Sequence, residues 1–174
     1  RTVVDAKDAG VAPDLTPKAA PVIPEGNIAR NASFEAWDLA KNALPEWETL
    51  NAAVSPDAQH VVDGKTAAKV VSTEGNGLIY QVQKLVAGQK YKVSILASTQ
   101  NAATFEVLDR KTGKSLPGAQ ALVADGNMYE YALGEFVAPG VEGEEVELGI
   151  PCIALKDKDS AVYLDKVVLE AIKK

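Results

Sequence analysis

The stretch VQKLVAGQKYKVSILAS, residues 82–98, decides the fold. In its second half Tyr91, Val93, Ile95 and Ala97 alternate with Lys92, Ser94, Leu96 and Ser98, the period-two pattern of a strand with one face on a core and the other on a polar boundary. Ala87-Gly88 is a turn signal between this strand and the apolar run before it, so the segment reads as two antiparallel strands.

The same texture continues outward in both directions. Residues 69–72, 78–85, 91–98, 104–109, 129–137, 146–150 and 162–170 each have strand length and period-two patterning. Asp63-Gly64, Ala87-Gly88, Thr112-Gly113, Asp125-Gly126 and Pro139-Gly140 fall between or beside them as turns. Short strands at regular spacing predict an all-β, two-sheet antiparallel sandwich. No segment carries a sustained helical stripe, although residues 36–43 have room for one helical turn.

Residues 1–26 differ. Pro13, Pro17, Pro21 and Pro24 remove backbone donors and favour extended backbone. The chain therefore divides into an extended N-terminal arm or linker, residues 1–26, and a sandwich, residues 27–174. The apolar knots of the arm, Thr2-Val3-Val4 and Pro21-Val22-Ile23, are too small to pack alone and need an external surface.

Composition narrows the function. A chain of 174 residues, 47% hydrophobic, suffices for one domain plus an appendage. Its net charge of -6 repels phosphate backbones and anionic lipid, so neither nucleic acid nor membrane insertion is expected. Cys152 and His60 are each the sole residue of their type, which leaves a cysteine metal cluster, a two-histidine metal site and a serine triad short of parts. Cys152, in the apolar run 149–155, reads as a buried small hydrophobe. Glu142, Glu144, Glu145 and Glu147 form a solvated acidic run rather than a catalytic pair. No enzyme is expected. A chain beginning at Arg1 looks like a processed mature one, and Asn31-Ala32-Ser33 fits the glycosylation acceptor pattern.

Two acids stand out because each sits among apolar neighbours: Glu35 after Ser33-Phe34, and Asp165 in Tyr163-Leu164-Asp165-Lys166-Val167. A carboxylate in such a setting needs compensation, and a bound cation would supply it. The aromatic side chains divide by alternation. Phe34, Phe105, Phe136, Tyr91 and Tyr163 fit inward positions, whereas Trp37, Tyr80, Tyr129 and Tyr131 remain as possible exposed rings. Of Tyr80 and Gln81, alternation allows only one to face a given side unless a bulge intervenes.

NASFEAW at 31–37, VYLDKVVLE at 162–170 and the strand pair at 82–98 occur in an order and separation that resembles the jelly-roll carbohydrate-binding modules attached to many secreted xylanases and cellulases, over residues 27–171. The resemblance implies a jelly-roll sandwich that is non-catalytic, secreted or at the cell surface, and binds polysaccharide on a concave sheet face. The candidate glycan residues are Trp37, Tyr80, Gln81 and Tyr129. It also implies a structural Ca2+ where the first and last strands lie side by side, with Glu35 and Asp165 as carboxylate ligands and Lys65, in Gly64-Lys65-Thr66, contributing its main-chain oxygen. Trp47 in Pro45-Glu46-Trp47 matches an element whose indole packs on the sandwich. An alternative role is a structural subunit of an extracellular fibre, sheath or surface layer, self-associating through residues 1–26 as a strand added to a neighbour.

Overall fold

The structure is a computed structural model that describes residues 4–5, 26–62 and 64–172. Of the arm, only the backbone of Val4–Asp5 and the residue Gly26 fall among these, so the proline-rich remainder and both apolar knots as units lie outside the described residues.

Twelve strands form two sheets. They are β1 (Val4–Asp5), β2 (Glu48–Leu50), β3 (Ala52–Asp57), β4 (Ala67–Ser72), β5 (Gly77–Val86), β6 (Lys90–Thr99), β7 (Ala103–Asp109), β8 (Lys114–Ser115), β9 (Gln120–Ala121), β10 (Met128–Val137), β11 (Glu145–Leu155) and β12 (Ala161–Ala171). The first sheet runs β1-β10-β6-β12-β4-β3; the second runs β2-β5-β11-β7-β8, with β9 also on β7. All pairings are antiparallel except β1 with β10. No helix occurs among the described residues.

The strands expected from alternation are all present, one to six residues longer than their patterned cores. β3 was not legible because Pro56 interrupts it; the proline is tolerated because β3 is an edge strand that needs partners on one side only. Tyr91, Val93, Ile95 and Ala97 of β6 do enter the core between the sheets, alongside Phe105, Ile79, Leu148, Leu164 and Leu169.

Three strands change phase midway. β10 slips between Ala132 and Glu135, β11 between Gly149 and Cys152, and β12 between Leu164 and Val167. A bulge adds a residue, so the inward set switches parity. In β12, Val162 and Leu164 point inward before the bulge and Val167 and Leu169 after it. Strict alternation would have kept Tyr163, Asp165, Val167 and Leu169 on one face. The bulge instead leaves Tyr163 outside, stacked on His60 at 3.6 Å between ring centroids, which corrects its expected core position. Tyr129 and Tyr131, read as possible exposed rings, are also corrected: both are in the core, at 5% and 1% exposure, where each ring is mostly apolar surface removed from water.

Residues 27–35 run beside β12 as a strap, not as a strand. Beyond the bulge β4 no longer pairs with β12, and the strap takes over that edge: Ile28 donates to the Leu169 carbonyl at 2.7 Å, and Val167 donates to the Ala32 carbonyl at 2.9 Å. The Asn27 amide completes the ladder, its Nδ2 donating to the Val167 carbonyl and its Oδ1 accepting from the Leu169 N–H, both at 2.9 Å. Turns, not a strand, lead to Glu35, because Asn31 and Phe34 both hold positive φ, 45° and 57°. Phe34 is fully buried and stacks on Trp47 at 4.9 Å, so packing compensates the backbone conformation. In place of a helical turn at 36–43, an isolated bridge joins Asp38 to Ala43.

Candidate functional site

The outer face of the second sheet presents cross-strand rows. Register places Glu48 beside Tyr80, Tyr80 beside Cys152 and Cys152 beside Glu106. A parallel row holds Leu50, Leu78, Ala154 and Thr104, and a third holds Val82, Gly149 and Leu108. Partners directly opposite in an antiparallel pair share a face, so these rows form one surface. Its apolar row opens into a hollow of about 540 Å³ lined by Leu78, Thr104, Ala121, Leu122 and Ala154. Leu50 stands at its edge, 53% exposed.

Tyr80 lies flat against this face because β11 has no side chain in the way: a Cβ on Gly149 would sit 3.2 Å from the ring and equally close to Leu108. Arg110 covers the ring with its guanidinium carbon 5.3 Å from the centroid and donates to the phenol oxygen at 2.9 Å. The same guanidinium reaches Glu147 at 3.5 Å. Glu106 accepts from the Thr104 hydroxyl at 3.3 Å, and the Cys152 thiol lies 3.9 Å from its other oxygen. Cys152 is fully buried beneath Tyr80 and Leu108, and burial first, then the Glu106 charge, pushes its thiol well above the usual range. It packs as a small hydrophobe.

The candidate glycan residues do not converge. Tyr80 belongs to this outer face, but its ring is buried under Arg110 at 9% exposure, which corrects its reading as an exposed ring. Gln81, next along β5, points the other way and is fully buried, with its Oε1 accepting from the Arg30 N–H at 2.9 Å and its Nε2 donating to the Arg30 carbonyl at 2.8 Å. It fastens the strap to the second sheet. Tyr129 is in the core and donates its hydroxyl to Asp125, which holds that carboxyl below its ordinary range. Trp37 is spent on the strap, where its indole donates to the Phe34 carbonyl at 2.8 Å. Asn31 is likewise engaged, its Nδ2 donating to the carbonyls of Ala36 and Pro45 at 3.0 Å. Glu48, Glu106, Arg110 and Glu147 were missed, although Thr104, Glu106, Leu108 and Arg110 share one parity opposite the inward Phe105 and Val107 and were readable as a face.

The acids Glu35 and Asp165 each bond the loop that follows β3. This loop folds over the outer side of the first sheet, with Val62 fully buried against Leu96 and Met128. The Asp165 carboxylate, fully buried at the β12 bulge, accepts from the Val62 N–H, and the Glu35 carboxylate accepts from the Lys65 N–H. Gly64 has φ +77°, and a Cβ there would fall within the space of the Glu35 carboxylate. Among the described residues no group of three or more histidines, cysteines or acids is placed to hold a metal ion. Two carboxylates converging on one stretch of main chain are a hard-oxygen donor set, the chemistry that suits calcium.

No protein-family model matches the sequence, and no curated protein matches it. Among solved structures, the C-terminal family 22 carbohydrate binding module of Clostridium thermocellum Xyn10B aligns with a TM-score of 0.58 at 13% identity, over 86% of this chain and 97% of that chain. The chain has the fold of a carbohydrate-binding module. The family 61 module TmCBM61, solved with beta-1,4-galactotriose, shares this module fold at a TM-score of 0.55 and 12% identity, over 84% of this chain and 99% of that one. The enzymatically active domain of tailspike protein 4 from bacteriophage CBA120 contains a similar sandwich, with a TM-score of 0.54 and 13% identity, but this chain spans only 22% of its length. At such identities the likeness is one of fold.

Proposed function

We propose that the protein is a non-catalytic, secreted or cell-surface module that binds polysaccharide on the outer face of its second sheet. The observation that carries this reading is the pairing of an apolar row, Leu50-Leu78-Ala154, with polar side chains of the neighbouring row, Glu48 and Glu106, and the Arg110 guanidinium that covers Tyr80. Sugar rings offer apolar faces to the first and hydroxyls to the second. The neighbours of known structure support the ligand class, since one is a xylan-binding domain and another carries a galactotriose. Binding suits the face better than hydrolysis does. Glu48 and Glu106 lie three strands apart, roughly 14 Å at the usual interstrand spacing, whereas paired glycosidase acids stand about 5 to 9.5 Å apart.

Affinity electrophoresis in gels containing xylan, β-glucan or mannan tests the reading. Retardation by at least one polymer, reduced about tenfold or more in apparent affinity by Leu78→Asp, is expected for an apolar contact of 1–3 kcal/mol. Unretarded migration in all three gels refutes it.

In the same reading calcium is structural, held by Glu35, Asp165 and the main-chain oxygen of Lys65, away from the glycan face. A ligand held only by the folded chain stabilises it by about 2.7 kcal/mol at a hundredfold excess over its dissociation constant. Removing calcium with EDTA is expected to lower the melting midpoint by several degrees, and restoring calcium to reverse this. An identical melt with and without EDTA rules the ion out.

A further inference from the structure

Resting on the glycan reading proposed for the second sheet, we infer that the hollow on that face receives an O-acetyl group, so that the polysaccharide bound there is an acetylated one. The kind of apolar surface on offer points this way. Of the side chains that register places on the face, from β2 across β5, β11 and β7 to β9, only Tyr80 is aromatic. Its ring is buried, with the Arg110 guanidinium over it. A flat exposed ring would take a pyranose by stacking, and among the described residues this face has none free to do so. Apolar contact with a sugar therefore runs through aliphatic side chains alone.

Those side chains form one row. Leu50, Leu78, Ala154, Thr104 and Ala121 are set side by side across five strands, roughly 19 Å at the usual interstrand spacing. Where the row passes the two alanines it sinks into the hollow, which the buried Leu122 and Leu155 also line. The Thr104 hydroxyl is engaged by Glu106 at 3.3 Å, so the threonine adds no free hydroxyl there. A dent walled by methyl and methylene groups suits a methyl group standing off a sugar ring, which leaves water on entering it.

The rim supplies the polar half of the match. Asn76 and Lys156 meet there, the Asn76 N–H donating to the Lys156 carbonyl at 3.0 Å. Their side-chain nitrogens, Nδ2 and Nζ, make no hydrogen bond or ion pair among the described residues. Both are donors. An ester carbonyl accepts hydrogen bonds and donates none, so an aliphatic dent beside two donors answers both ends of an O-acetyl group. Glu48 and Glu106, on the next row, accept from the hydroxyls that remain unsubstituted.

The test titrates O-acetylated xylo-oligosaccharides and manno-oligosaccharides calorimetrically into the full chain at neutral pH, each beside the same sample after mild alkaline deacetylation. One acetyl methyl seated in the hollow is expected to make the acetylated form of at least one sugar bind about tenfold more tightly or better. Ala154→Leu, which fills the hollow from its own wall, is expected to bring the two affinities together. Equal affinities of the unmodified chain for acetylated and deacetylated sugars overturn the inference and leave the glycan reading standing. A preference that Ala154→Leu does not reduce overturns it as well, and binding confined to chitin oligosaccharides, whose acetyl group is an amide, overturns the ester assignment. No binding to any of these sugars removes the glycan reading and the inference together.

Discussion

Substituting Gly64 by alanine should destabilise the protein through the Glu35 carboxylate, by an amount that the geometry divides into two parts. At φ +77° an L side chain strains the backbone by about 1–2 kcal/mol. The new Cβ also occupies the space of the carboxylate, displacing it from the Lys65 N–H and forfeiting a charged hydrogen bond of about 1.5–3 kcal/mol. The sum is about 2.5–5 kcal/mol, and at about 2–4 °C per kcal/mol for a chain of this length the midpoint should fall by roughly 5–20 °C. Glu35→Ala alone should cost only the second part, about 2 kcal/mol. In the double variant no carboxylate remains to be displaced, so the hydrogen bond is lost only once. Urea melts of the four proteins, in EDTA to exclude any ion, should show the double variant about 2 kcal/mol more stable than additivity predicts. Additive losses within about 0.5 kcal/mol would refute the claim that Gly64 exists to seat Glu35.

Two further outcomes follow from buried polar groups. Burial pushes the Tyr131 phenol up to about 12, so its contribution is intact below pH ~10 and lost as pH rises through about 12; Tyr131→Phe should therefore flatten the loss of stability between these values by about 3 kcal/mol, and matching alkaline denaturation curves for the two proteins would contradict this. Gln81→Ala should leave the buried amide and carbonyl groups at Arg30 without their partners and lower stability by about 2–4 kcal/mol, with the strap's amide hydrogens at Ile28 and Ala29 exchanging faster; unchanged exchange there would show that Gln81 does not hold the strap.

The sandwich was legible because local patterning and global packing agree through most strands, as in β6, where each residue of the inward set reached the core. What escaped the pattern were the bulges. A bulge in β12 cannot be seen in Val162 to Glu170, since either parity offers an apolar set, and the choice is made by the Asp165 contact with Val62, a hundred positions away. The same blindness misassigned Tyr163 and hid the inward turn of Tyr129 and Tyr131. That Glu35 and Asp165 each need a compensating partner was readable because both acids are out of keeping with their neighbours; the loop N–H groups that meet them, at Val62 and Lys65, were not. The outer face of the second sheet was less so, because it is assembled from β2, β5, β7 and β11, and β2 has only three residues with which to announce itself.

The Asn27 clamp bears on mechanics. Its amide imitates a peptide unit, bonding both the carbonyl of Val167 and the N–H of Leu169 just where the proline-rich segment leaves the sandwich. Tension pulled through that segment enters the domain here, and it meets bonds lying across the line of pull, backed by those of Ile28 and Ala32. They must rupture together as the strap slides along β12. Such an anchor resists force by shear rather than peeling.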